Sequence, residues 1–194
     1  MHDAVLLEGR LARLEPLEPR HADDLARASA DGEVWRKWST RIPSPEEVPA
    51  EIEARLAAQA AGRIVPWAVV ADGHAVGMTT YWAVDDANRR LEIGGTWLGA
   101  STQGTGVNAE AKLLLLTRAF EVLDCIAVEF RTHFHNRQSR AAIERLGAKQ
   151  DGILRSHHIG REGTLRDTVV YSIIAPEWPT VRLGLLERLQ AGPQ

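Results

Sequence analysis

The sequence predicts a mixed α/β fold in a single domain, and three observations predict it. Leu91 to Leu123 reads as a strand, a glycine-rich turn and a helix in direct succession. Val65 to Ala71 and His74 to Val84 are apolar runs joined by Asp72-Gly73, the pattern of a β-hairpin. Further strand-like and helix-like spacings follow on both sides within 194 residues, a length that fits one well-cored domain and crowds two.

In chain order, Leu11 to Leu17 alternates as a first strand, and Glu18 to Ala30 holds a short helix starting after Pro19. Trp35 and Trp38 lie in an aromatic, basic segment that ends in prolines. Ser44 as N-cap, Pro45 at the first position and Glu47 closing a capping box open a helix that runs to about Ala61 and stops at Gly62. After the hairpin, Asp85 to Asn88 turn the chain into the strand from Leu91. Strict alternation there puts Leu91, Ile93, Gly95 and Trp97 on one side and Glu92, Gly94, Thr96 and Leu98 on the other. The loop Gly99 to Gly104 leads to a helix starting near Thr105 or Gly106. Val107, Ala111, Leu114, Leu115, Ala119 and Val122 form its apolar face. Ile126 to Thr132 is a strand, and Arg137 to Leu146 a helix stopped by Gly147. Gln150 to His158 and Leu165 to Ile174 are strands joined across Gly160 to Gly163, and Glu177 to Leu189 is a closing helix.

Composition narrows the function classes. With 44% hydrophobic and 25% charged residues the chain is an ordinary globular protein. A formal charge of −3 gives no footprint for nucleic acid. The single cysteine, Cys125, excludes an internal disulfide, and its apolar neighbours mark it as a core filler. The opening MHDAVLLEGR lacks the basic and apolar regions of a signal peptide, and no run reaches the ~18 apolar residues of a membrane span. The expectation is a cytoplasmic protein with neither nucleic acid nor membrane as partner.

The chemistry starts at the turn. Glycines on both sides of Thr105 leave backbone N–H groups uncovered at the positive end of a helix dipole, which suits a phosphate or pyrophosphate. A P-loop would need Lys and Ser/Thr where Thr105 and Gly106 stand. The dinucleotide fingerprint G-x-G-x-x-[GA] is matched by Gly104, Gly106 and Ala109, with Glu129 about 20 residues on. Against it, six loop residues separate the strand from the turn, and a hairpin precedes the strand.

Ser101 to Gly106, S-T-Q-G-T-G, also fits the phosphate motif [QR]-x-x-G-x-[GA] at both glycines, with Ser101 in place of the first Gln or Arg. Three phrases, TWLGASTQGTGVNAEA, HNRQSRAAIERLGAKQDGILR and GTLRDTVVYSIIAPEWP, follow in order from Leu91 to Pro179. Together they resemble the GNAT superfamily of acyltransferases, in particular its ribosomal-protein N-terminal acetyltransferase-like (RimJ/RimL) branch. The resemblance implies a single domain over 1–194, with a mixed, mostly antiparallel sheet of about seven strands, splayed in the middle and flanked by helices. Residues 1–90 then form mainly the acceptor side, 91–174 the acetyl-CoA side and 175–194 the C-terminal helix.

The resemblance also implies acetyl-CoA as co-substrate, no metal, and a small amine or a peptide N-terminus as acceptor. Backbone groups of Trp97 and Leu98 would meet the pantetheine arm, and the amides of Gln103, Gly104, Thr105, Gly106, Val107 and Asn108 the pyrophosphate. Asn136 would reach the arm or the thioester, or else serve as a plain helix cap. Ser139, in the Asn-x-x-Ser pattern, is the candidate acid for the leaving thiolate, with ordinary first-turn bonding as the alternative. Glu92 is the candidate base, unless it is a residue on an exposed strand face. Asp151 matches a second carboxylate of the branch, or holds a turn with Gly152. Trp35, Trp38, Tyr81, Trp82 and His158 are expected to line the acceptor pocket. His133, His135, His157 and His158 lack the further ligands a metal would want.

The favoured reading is therefore an N-acetyltransferase working by direct attack in a ternary complex. An acyl-CoA sensor without catalysis and an NAD-linked oxidoreductase remain as alternatives, and an exposed strand or the last helix could support a homodimer.

Overall fold

The computed structural model describes residues 1–160 and 163–191. Its elements are β1 (Leu7–Glu8), β2 (Arg13–Pro16), α1 (Ala22–Ala30), α2 (Val48–Ala60), β3 (Ile64–Ala71), β4 (His74–Asp85) and β5 (Arg90–Leu98), followed by α3 (Val107–Thr117), β6 (Ala127–His133), α4 (Arg137–Glu144), β7 (Lys149–Ile159), β8 (Leu165–Ile174) and α5 (Trp178–Ala191). The strands form one sheet in the order β1-β2-β3-β4-β5-β6-β8-β7. Every neighbouring pair is antiparallel except β5 with β6. The sheet has eight strands against the seven or so expected. The extra one is the two-residue β1, where the chain folds back through a Gly9 N–H to Ala12 carbonyl bond of 2.9 Å. Two residues are too few for alternation to be read.

Helices cover both faces. Leu115, Leu116, Ala119, Ile143 and Leu185 pack with Leu91, Ile93, Val128, Phe130 and Tyr171 in the larger core. Leu25, Val48 and Ile52 pack with Val70, Met78 and Trp97 in a second core under α1 and α2. The capping box of Ser44 and Glu47 forms as read, on a single 3-10 turn that leads directly into α2. α5 closes the larger core, with Trp178 stacked on Phe120 at 5.4 Å between ring centroids.

Two local irregularities overturn simple periodicity. Thr80 faces Gly94 and Met78 faces Trp97, so β4 supplies one residue between these pairs and β5 supplies two, Gly95 and Thr96. This is a β-bulge, and Gly95 takes φ +57, a conformation a side chain would resist. Beyond the bulge the faces exchange: Leu98 joins Leu91 and Ile93 in the larger core, and Trp97 enters the second one. In the same way, α3 continues into a wider π turn at Arg118–Val122, where the Leu123 amide reaches back five residues to the Arg118 carbonyl. The turn rotates Val122 outward to 67% exposure, while Leu116 is fully buried.

The feature that matters for function lies at the centre of the sheet. β5 and β6 pair only from Arg90–Glu92 against Ala127–Glu129, then diverge. Their C-terminal halves, Ile93 to Leu98 and Phe130 to His133, leave a V-shaped opening. β5 ends at the wide end of that opening and passes directly into the glycine turn.

Candidate active site

Of the six amides expected to meet the pyrophosphate, two are engaged within the loop: the Gln103 amide donates to the Ala100 carbonyl at 3.1 Å and the Thr105 amide to the Thr102 carbonyl at 3.5 Å. Gly104 and Gly106 take φ +83 and +95, and Gly106 is the N-cap of α3. Among the described residues, the amides of Gly104, Gly106, Val107 and Asn108 donate to no protein acceptor. Among the described residues, nothing lies within 4 Å of where a Gly104 side chain would start. Ser101 does not take part. Its amide and its hydroxyl both donate to Asp31 Oδ2 at 2.7 Å, and the hydroxyl bond foremost holds the Asp31 carboxyl below its usual range. The loop is thus fixed by a carboxylate on its outer side while the inner amides stay bare.

Gln103 braces the turn from within. Its Nε2 donates to the Leu98 carbonyl at 2.9 Å, and its Oε1 accepts from Gln138 Nε2 at 2.9 Å. Gln138 Oε1 in turn accepts from Lys37 Nζ at 3.0 Å. Side chains therefore tie the Trp35–Trp38 segment, the first turn of α4 and the glycine turn together across the wide end of the opening.

At its narrow end stands Glu92. Its side chain is 16% exposed, and burial above all raises its carboxyl above the ordinary glutamate value, with Arg131 at 3.5 Å opposing the shift. The half-buried setting decides against an exposed strand face. Gly94 and Gly95 let other groups close in. A side chain on Gly94 would meet Glu92 Oε1 at 2.7 Å and the Trp82 ring at 3.1 Å. One on Gly95 would meet Trp82 Nε1 at 3.0 Å and Arg55 Nη1 at 3.1 Å. Arg55 is held by Glu51 and Thr80, and the buried Trp82 indole N–H has no partner among the described residues. Arg166, whose charge opposes the rise at Glu92, also carries a buried Nε with no partner among the described residues.

Aromatic groups line the approach. Trp38, 58% exposed, sets its ring edge-on to His133 with centroids 5.0 Å apart, and lies 6.1 Å from the His135 ring. Burial lowers the pKa of His133 and of His158, and the charges of Arg166 and, for His158, of His157 and Arg131 add to the effect. His158 thus borders the same arginines as Glu92. The structure brings Glu92, Trp82, Trp38 and His158 to one face of the sheet.

Other candidates stand elsewhere. Tyr81 does not line a pocket: it is fully buried in the larger core and its hydroxyl donates to the Leu115 carbonyl at 2.6 Å. β-Strand alternation sends it to the face opposite Trp82. Trp35 packs on the second core, with Arg36 over its ring. The Trp97 ring is buried in that core. Asp151 is exposed on β7 and accepts from Ser172 Oγ at 3.0 Å; Ser172 pairs with Glu129, so β6 and β8 separate Asp151 from Glu92. Asn136 Oδ1 accepts from the Ser139 amide at 3.1 Å, which is an N-cap. The half-buried Ser139 hydroxyl makes no hydrogen bond among the described residues. Cys125 is buried, and burial pushes its thiol up to about 11.

Arg55, Arg131 and Arg166 were not anticipated. The alternation Glu129, Arg131, His133 on β6 carried a signal for one of them, since it marks a polar face in a central strand. Arg55 lies on a helix and Arg166 on a distant strand, and no local pattern joins them to Glu92.

With this geometry in hand, comparison with known proteins is direct. The family model described as "Acetyltransferase (GNAT) domain" matches residues 12–149. "Putative ribosomal N-acetyltransferase YdaF" of Bacillus subtilis (strain 168) is 35% identical over 107 residues, which span 55% of this chain and 57% of that protein. The crystal structure of a GCN5-related N-acetyltransferase from Brucella melitensis is 28% identical, covering 99% of this chain and 91% of that one with a TM-score of 0.86. Mycobacterium smegmatis RimJ in complex with CoA-disulfide shares the fold at 23% identity, covering 94% and 92% of the two chains with a TM-score of 0.79. The family match spans the bulged β5, the glycine turn and the divergence from β6, and it displaces the dinucleotide reading of the same glycines: the chain belongs to the GNAT family of acetyltransferases.

Proposed function

We propose that the protein transfers an acetyl group from acetyl-CoA to a primary amine, of a small molecule or a protein N-terminus, by direct attack within a ternary complex. The observation that carries this is the opening between β5 and β6, which has bare amides at its wide end and a half-buried carboxylate at its narrow end. The residues present fit coenzyme A. The amides of Gly104, Gly106, Val107 and Asn108 suit its diphosphate, and the unpaired edges of β5 and β6 offer backbone partners to an amide-bearing arm.

In this reading, Glu92 takes a proton from the acceptor ammonium, through water. Its raised pKa keeps it a competent base near neutral pH while burial limits its hydration. The freed amine attacks the thioester carbonyl carbon and the C–S bond breaks; the Ser139 hydroxyl hands its proton to the departing thiolate and regains one, through water, from the nitrogen of the newly formed amide. Asp151 has no step. Base and acid each contribute about 10²- to 10⁴-fold, so holding both substrates in one cleft carries much of the acceleration. Trp38, Trp82 and His158 give the acceptor a partly aromatic surface. The test is release of free thiol from acetyl-CoA across a panel of small amines and short peptides. Turnover with an amine supports the reading; tight binding of coenzyme A with no turnover by any amine favours an acyl-CoA sensor.

A further inference from the structure

Lys112 is the least expected side chain in the larger core. It projects from α3 beneath the β5 bulge, is 5% exposed, and pairs with no carboxylate among the described residues. Its Nζ donates to Thr79 Oγ1 at 3.1 Å and to Thr96 Oγ1 at 2.6 Å, and the two hydroxyls are 2.8 Å apart. An unpaired buried ammonium is costly, and an aliphatic residue would fill the space without that cost. Such an arrangement calls for a role.

Proton accounting gives it a direction. In its charged form Lys112 can only donate, so both hydroxyls then accept from it. Thr79 is fully buried, and the sole acceptor for its own proton among the described residues is Thr96. An unsatisfied buried hydroxyl is unfavourable, so Thr79 donates to Thr96. Thr96 Oγ1 then accepts from both Lys112 and Thr79, which fills its two acceptor positions, and its proton has no partner inside. Thr96 is the half-buried end of the relay, in the part of β5 that has left β6. Its hydroxyl proton is therefore left without an acceptor among the described residues.

We propose that Thr96 donates a hydrogen bond to the thioester carbonyl oxygen and stabilises it as negative charge develops during attack, with Lys112 as the positioning residue that orients and polarises that hydroxyl. This rests on the donor reading given above. No covalent bond to either residue forms and neither loses a proton. A fixed donor backed by an uncompensated charge in a dry setting is the arrangement that stabilises an oxyanion most. The other polar groups near the relay are committed: the Tyr81 hydroxyl to the Leu115 carbonyl, and Glu110 to the Leu11 and Ala12 amides. Burial brings the Lys112 pKa down to about 7, so the charge behind Thr96 is present below that pH and is lost above it.

The test is the ¹³C resonance of [1-¹³C]acetyl-CoA bound to the wild type and to Thr96→Val, Thr96→Ser and Lys112→Met, with calorimetry of acetyl-CoA binding alongside. The proposal expects the wild-type carbonyl signal downfield of its free position, retained in Thr96→Ser and returned towards the free position in Thr96→Val and Lys112→Met. It also expects the wild-type displacement to shrink as pH rises through about 7. The acetyl-CoA dissociation constant should rise by no more than about 10-fold in these variants, while turnover in Thr96→Val falls about 10²-fold or more. An unchanged carbonyl signal in Thr96→Val, or wild-type turnover in it, overturns the proposal even if Lys112→Met fails to fold. Calorimetry showing no acetyl-CoA binding by the wild type would instead remove the donor reading on which the proposal rests.

Discussion

Replacing Gly104 by valine should separate donor binding from everything else the protein does. The residue sits at φ +83, and among the described residues nothing lies within 4 Å of where its Cβ would be, so the main cost within the fold is backbone strain. A left-handed conformation costs a non-glycine residue about 1–2 kcal/mol. For a chain of this size that lowers the melting temperature by about 2–8 °C, and the protein stays folded. The effect on the donor is larger. The new side chain crowds an anion that approaches the bare amide beside it, and a hydrogen bond to a charged group contributes about 1.5–3 kcal/mol. Losing it weakens coenzyme A binding about 10- to 150-fold. Isothermal titration with coenzyme A reads this directly, and steady-state kinetics should show the donor KM rising while the acceptor KM holds. A donor dissociation constant equal to the wild-type value in folded Gly104→Val would refute the cradle.

Three further outcomes follow from particular contacts. Glu92→Gln should lower kcat/KM about 10²- to 10⁴-fold. In the wild type, the ascending limb of the pH–rate profile should lie above the ordinary glutamate range, because a carboxyl raised by burial must lose its proton to act as base. The same raised value means the folded state holds its proton more tightly than the unfolded one, so Glu92 costs stability as pH rises through that window. Glu92→Gln should then melt no lower than the wild type at neutral pH, and a clear loss of stability would contradict the burial argument. Asn136→Ala should cost about 1 kcal/mol as a lost cap and also slow turnover; a rate equal to the wild type would leave only the cap. Tyr81→Phe should destabilise by about 1–2 kcal/mol through the bond to the Leu115 carbonyl and leave the acceptor KM alone, whereas a changed acceptor KM would return Tyr81 to the pocket.

How far the sequence could be read depended on how local each signal was. The capping box at Ser44 and the Asp72-Gly73 hairpin are decided by a few adjacent residues, and both form as read. The glycine turn is equally local, and its bare amides lie where Gly104 and Gly106 put them. Periodicity failed where backbone hydrogen bonding changed its step. The bulge at Gly95 exchanged Trp97 and Leu98, and the π turn after Thr117 carried Val122 to the surface. Neither event alters composition, so a count of apolar residues passes over it. The acceptor face was half legible for a different reason. Aromatic residues pointed to the region, but which of Tyr81 and Trp82 faces the cleft depends on strand alternation across the sheet. Arg55 and Arg166 reach it from elements far apart in sequence, and Lys112 read only as one polar residue in an apolar helix.

The central claim is that the amides of Gly104, Gly106, Val107 and Asn108 hold the diphosphate of coenzyme A. It is tested most directly by following their backbone ¹⁵N–¹H resonances as coenzyme A is added, with NADH as the competing ligand. The account predicts saturable shifts concentrated in these four amides and unaffected by NADH. Resonances that stay in place with coenzyme A, or that move with NADH instead, would contradict it.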